Sequence, residues 1–166
     1  MGRRPGAARF PPTVLALLLA LLPAAREACA QTVIVLSNTR GMNFGSFAAS
    51  SGGSIVLNAA TGARSKTGTV ILLNSPAAAQ ATYNVSKSKS GTVSRTVSIS
   101  LPANNTVQLS SGASTMFVNN FVASPATISS VPNGGMALSV GATLFVGPGQ
   151  PAGNYTGAYA ITVNYN

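Results

Sequence analysis

The stretch Gly153-Asn154-Tyr155-Thr156-Gly157-Ala158-Tyr159-Ala160-Ile161-Thr162-Val163-Asn164-Tyr165-Asn166 decides the fold. From Tyr155 onward its side chains alternate. Tyr155, Gly157, Tyr159, Ile161, Val163 and Tyr165 share one phase, and the small or polar Thr156, Ala158, Ala160, Thr162 and Asn164 share the other. Residues two apart lie on one face of a β-strand, so the alternation predicts a half-buried strand. The preceding Gly147-Pro148-Gly149-Gln150-Pro151-Ala152-Gly153 supports neither helix nor ladder, so the strand starts afresh after it. A strand at a chain end lacks a return hairpin to fix its pairing, which makes it a candidate for pairing with another chain.

Working outward, the remaining sequence repeats the same grammar. Short apolar runs are separated by Gly, Asn, Ser and Pro, and no helical period of ten or more residues follows the first thirty. The runs are Met42–Phe47, Ile55–Leu57, Thr69–Leu73, Ala81–Val85, Thr92–Leu101, Thr106–Leu109, Met116–Val122 and Met136–Val146. With the C-terminal stretch they give about nine strands, the signature of an all-β sandwich of antiparallel strands. Arg64-Ser65-Lys66 reads as a basic turn, Gly45 as a bulge letting Phe47 turn inward beside Met42 and Phe44, and Gly141 as a break in phase within the Met136–Val146 strand. The run Val33-Ile34-Val35-Leu36 is apolar without alternation; it fits a strand buried on both faces and equally an exposed arm waiting for a groove.

The chain opens on an export signal. Arg3, Arg4 and Arg9 precede the nine-residue aliphatic core Val14–Leu22, and Ala28-Cys29-Ala30 supplies small residues for cleavage before Gln31. A bilayer span needs roughly 20 apolar residues, so a stable membrane span is not expected. The organisation expected is residues 1–30 as signal peptide and 31–166 as one β-sandwich domain, exported to the periplasm, the cell surface or the extracellular space. Cleavage takes away Glu27 and Cys29, the one acid and the one cysteine of a chain that has no histidine.

That loss excludes most chemistry. Proton-transfer catalysis and protein-built metal sites need His, Asp, Glu or Cys, and a serine activated by Lys87 or Lys89 is disfavoured because both lysines fall in a polar, turn-like stretch. The expectation is a protein that is not an enzyme, with no catalytic, metal or cofactor-binding residue. Arg40, Arg64, Lys66, Lys87, Lys89 and Arg95 form no run or stripe, so no nucleic acid is expected as partner. The sequons at Asn84, Asn104 and Asn154 are chance-level in so Ser/Thr-rich a chain.

Gly153, fourteenth from the end, the alternating apolar residues after it and the penultimate Tyr165 resemble the C-terminal β-zipper of chaperone–usher pilus subunits. Met42-Asn43-Phe44-Gly45, Thr115–Phe121 and the C-terminal stretch are similar to bacterial secreted proteins grouped as domain of unknown function 4402, and more loosely to spore-coat protein U. The resemblance implies an immunoglobulin-like, pilin-like sandwich that lacks its last strand. It implies assembly with copies of itself or related subunits by strand addition, helped by a periplasmic chaperone and an outer-membrane usher. Gly153, Tyr155, Tyr159, Ile161, Val163 and Tyr165 would then form the assembly strand, and Val33, Ile34, Val35 and Leu36 the donor arm. The chain departs from pilins in having no disulfide and in the two apolar phases of its arm. Four aliphatic plugs contribute on the order of 10 kcal/mol gross, comparable to a whole domain's stability, so an unfilled groove would leave the subunit marginal. The alternatives are a self-complete, monomeric secreted sandwich and an adhesin-like carbohydrate-binding module.

Overall fold

Eleven strands form among the described residues: β1 Ile34–Arg40, β2 Phe47–Ala48, β3 Gly53–Leu57, β4 Arg64–Gly68, β5 Ile71–Leu72, β6 Ala81–Lys87, β7 Val97–Ser100, β8 Val107–Ser111, β9 Ser114–Ser124, β10 Met136–Val146 and β11 Thr162–Tyr165. The structure, a computed structural model, describes Gly2 and residues 32–75, 77–89 and 95–166. The expected cleavage residues Ala28, Ala30 and Gln31 lie outside that set, as do Thr92, Val93 and Ser94 at the start of the expected Thr92–Leu101 strand. No helix occurs among the described residues and every strand pairing is antiparallel.

Strand β10 is the spine. One edge pairs with β9, while the other pairs first with β6, through Met136–Val140, and then with β3, through Thr143–Val146. Two strands can share one edge only if the sheet splits, and Gly141 marks the split. A Cβ there would overlap the Leu57 carbonyl oxygen and approach the Ala59 nitrogen to 2.6 Å. From this junction the sheet extends through β6 to β1 on one wing, through β3 to β4 on another, and through β9 to β8 on the far side, curling as it goes. The expected break of phase at Gly141 is absent. Leu138, Val140, Ala142, Leu144 and Val146 are all buried, so one parity faces inward throughout, and the irregularity is confined to the register with β9.

The basic stretch at Arg64 is a strand rather than a turn. Arg64–Gly68 pairs residue for residue with Leu57–Gly53, and the turn sits earlier, where the Asn58 side-chain oxygen accepts from the Ala60 and Thr61 amides. Thr69–Leu73 therefore does not neighbour Ile55–Leu57; its Ile71–Leu72 pairs with β2. Charged and hydroxyl side chains suit an exposed outer strand, because they discourage unwanted pairing.

Burial divides into two clusters. The first gathers Phe44, Ile55, Leu57, Val70, Val107, Met116, Val118, Ala142, Leu144 and Val146. The second gathers Val85, Val97, Ala123, Ile128, Val131 and Leu138. Each fully buried aliphatic side chain contributes about 1.5 to 3 kcal/mol, so these clusters hold a disulfide-free domain together. Ile128 and Val131 come from the segment after β9; they plug the second cluster, and the Ile128 carbonyl accepts from the Val97 amide at 2.7 Å.

Two Asn-Asn pairs interlock at the β9 irregularity. Asn105 N–H donates to Asn119 Oδ1 at 2.7 Å while Asn119 Nδ2 donates back to Asn105 Oδ1 at 3.0 Å, and Asn120 N–H donates to Asn104 Oδ1 at 2.8 Å. Asn105 and Asn120 both take positive φ, 63° and 52°, a conformation asparagine tolerates better than most residues. The sequon side chain of Asn104 is thus engaged, that of Asn84 is half-buried, and Asn154 is exposed.

Candidate functional site: a groove beside the C-terminal segment

The C-terminal alternation is realised as burial. Tyr155, Tyr159, Ile161, Val163 and Tyr165 are half-buried, and the intervening residues are exposed. Its pairing is only partial. Thr156 exchanges hydrogen bonds with Ser110 of β8, at 2.8 and 3.0 Å, and Thr162–Tyr165 pairs with β7 as Ser100–Val97. Between them, Gly157–Ile161 makes no backbone hydrogen bond to a described residue. The expected continuous strand is thus an extended segment tied at both ends and unpaired along the middle.

Two glycines let the segment lie against β8. A Cβ at Gly153 would overlap Ser111 Oγ, and one at Gly157 would overlap the Gln108 carbonyl oxygen. Gly153, singled out for its distance from the end, thus lets the segment lie close to Ser111. The loop before it is locked by Tyr155, whose hydroxyl accepts from Gln150 Nε2 and donates to the Pro151 carbonyl, both at 2.8 Å.

Opposite this segment stands Met42–Ala49, and a groove of about 900 Å³ lies between them. Val107, Leu109, Met116, Val118 and Leu144 form its floor, Met42, Phe44 and Phe47 one wall, and Tyr155, Gly157 and Tyr159 the other. The floor belongs to the first core cluster, so the groove opens directly onto the protein interior. Among the described residues no charged side chain lines it.

The Met42–Ala49 wall is held from behind. Asn43 exchanges backbone hydrogen bonds with Ala79 at 2.9 and 2.8 Å, and β2 pairs with β5. Arg64 donates from Nη1 to the Phe44 and Ser46 carbonyls, each at 3.0 Å, and from Nη2 to the Leu73 carbonyl at 2.5 Å. Gly45, at φ 72°, makes room for this guanidinium, since a Cβ there would stand 2.6 Å from Nη1. The sequence shows Arg64 only as one of several scattered cations; the contact comes from the β3–β4 hairpin folding back over the wall.

Tyr159 joins the groove to the second cluster. Its ring packs on Phe121 with centroids 5.2 Å apart, and its hydroxyl accepts from the Tyr83 hydroxyl at 3.0 Å. Burial, then the Tyr83 hydrogen bond, push its ionisation well above the ordinary tyrosine value of 10.0. The Tyr155 and Tyr159 hydroxyls are thus engaged within the chain. That of Tyr165 is buried and has no hydrogen-bond partner among the described residues.

The donor-arm residues are also placed. Ile34, Val35 and Leu36 lie in β1, paired with Lys87, Ser86 and Val85 of their own chain's β6. Ile34 and Leu36 face the second cluster alongside Val163 and Tyr165, whereas Val33 and Val35 point outward, 57% and 43% exposed. Of the two apolar phases, one is used within the chain and the other is left to solvent.

Among the described residues no group of His, Cys, Asp or Glu is placed to hold a metal, and no helix is long and apolar enough to cross a membrane. No curated protein and no solved structure matches the chain. A family model, described as Domain of unknown function (DUF4402), matches residues 34–165, nearly all of the described β-structure, and the chain belongs to that family.

Proposed function

We propose that the protein is an exported, non-enzymatic structural subunit of a surface fibre, pilus or coat, assembled by β-strand addition, and that its groove accepts a strand from a neighbouring subunit. The observation that carries this is the coincidence of an uncharged groove floored by core residues with the unpaired Gly157–Ile161 backbone at its rim. An unpaired backbone edge beside an apolar cleft is what an added strand needs: hydrogen bonds supply affinity, and pockets for alternate side chains supply register. The β7–β11 pair and the β1–β6–β10 sheet serve as the two faces of an incomplete immunoglobulin-like sandwich, with the groove where its last strand belongs. The donor is the apolar run Val33–Leu36 of a neighbouring copy, and a periplasmic chaperone with an outer-membrane usher fits the same chemistry.

A photoreactive benzophenone at exposed Ala158, in a mixture of heavy-isotope-labelled and unlabelled chains, tests the proposal. Adducts between a labelled residue 158 and an unlabelled 32–38 segment support it; adducts confined to one copy refute it. A second function, a self-complete secreted β-domain, is favoured by one observation, the pairing of β1 with its own β6. It predicts monomers with no adduct between copies.

A further inference from the structure

We infer that β1 is an autoinhibitory stopper of its own chain's groove: the strand offered to a neighbour also closes the β11 end of the seam until it leaves. The inference rests on the strand-addition function above and adds the step that controls it.

Strand β1 is held along one edge. Val33 accepts from the Ser88 amide at 2.9 Å, which sets the odd-numbered backbone groups of β1 toward β6 and the even-numbered ones, Ile34 and Leu36, away from it. Strand β11 lies beside β1, with Cα atoms within 8 Å, yet the two strands share no ladder. Paired strands stand about 5 Å apart, and a strand inserted between two others needs about 10 Å. The two strands are therefore unbonded here and too close to admit a third between them, whereas the groove lies between the segments that flank them in sequence, Met42–Ala49 after β1 and Tyr155–Tyr159 before β11.

One further observation agrees. The β1–β6 register breaks between Asn38 and Arg40, and Gly41 follows with nothing within 4 Å of the Cβ position, so a joint for release lies at the end of the strand. Departure of β1 joins the groove to the strip along β11 and frees both apolar phases of Val33–Leu36.

Locking β1 tests this. Cysteines at Val35 and Ser86, which are cross-strand partners, can be joined by a disulfide in a mature chain that has no other cysteine. The oxidised chain is expected to stay monomeric, with assembly and uptake of a synthetic residue 32–38 peptide slowed at least tenfold, and dithiothreitol is expected to restore both. Oxidised chains that assemble and bind peptide at the parent rate overturn the stopper while leaving strand addition intact. A parent chain that gives no residue 158 adduct between copies refutes strand addition itself.

Discussion

Replacing Tyr165 by phenylalanine is expected to stabilise the isolated domain, an unusual sign for a change at a packed tyrosine. The ring faces the second cluster with Val163, Ile34 and Leu36, and those contacts survive the substitution. Only the hydroxyl is lost, and it is buried without a hydrogen-bond partner among the described residues. Leaving such a group unsatisfied costs about 1 to 3 kcal/mol, so its removal should recover about 1 to 2 kcal/mol. For a domain of this size that is a rise of about 3 to 8 °C in Tm. The matched control is Tyr83→Phe, which deletes the same atom from a tyrosine that donates to the Tyr159 hydroxyl at 3.0 Å. Here the loss is expected to be about 0.5 to 1.5 kcal/mol. Thermal unfolding of residues 31–166, followed by circular dichroism, reads both. Opposite signs support the packing described; a Tyr165→Phe domain that melts several degrees below the parent refutes it, because the hydroxyl must then have a partner.

Three other perturbations bear on the groove and the sheet. Arg64→Ala removes three hydrogen bonds to carbonyls behind the Met42–Ala49 wall, and a loss of about 2 to 3 kcal/mol, discounted for partial exposure, should appear in denaturant titration; Arg64→Lys should recover little, because one ammonium cannot span three carbonyls. Gly141→Ala forces a Cβ onto the Leu57 carbonyl at the split of the sheet and should cost about 1 to 3 kcal/mol; unchanged stability would mean that β3 does not cross there. The raised ionisation of Tyr159 favours the neutral phenol in the folded state. Its contribution is therefore fully present below the unfolded value of 10.0 and is lost as pH climbs above it, so the parent should lose stability in strong alkali more steeply than Tyr159→Phe, as pH-dependent melting would show.

Much of the architecture was legible in residue order. The inward phase from Tyr155 to Tyr165 follows from period-two alternation, and the inward Met42, Phe44 and Phe47 from alternation together with the conformational freedom of Gly45. Alternation specifies which face a side chain takes and is silent on whether a neighbouring strand is present. For that reason the unpaired stretch Gly157–Ile161, the main feature of the candidate site, could not be read from the same residues that predicted a strand. Pairing partners that lie far apart in sequence were equally hidden. Arg64–Gly68 is polar on both faces and becomes a strand only because β3 offers it an edge, and Ile128 and Val131 are buried because they meet Val85 of β6, Val97 of β7 and Leu138 of β10, all distant in sequence. The reciprocal bonds of the two Asn-Asn pairs depend on β8 and β9 meeting in register. The run Val33–Leu36 fitted two environments, and the structure places one phase against the second cluster and leaves the other exposed.

Amide hydrogen exchange across Gly157–Ile161, measured on the isolated and the assembled protein with Thr156 as internal reference, bears most directly on strand addition. In the isolated chain these amides should exchange rapidly while Thr156, bonded to Ser110, is protected; in the assembled protein Gly157–Ile161 should gain protection on the odd-numbered edge that faces away from β8. Rapid exchange that persists unchanged in the assembled protein would contradict the addition of a strand at this groove.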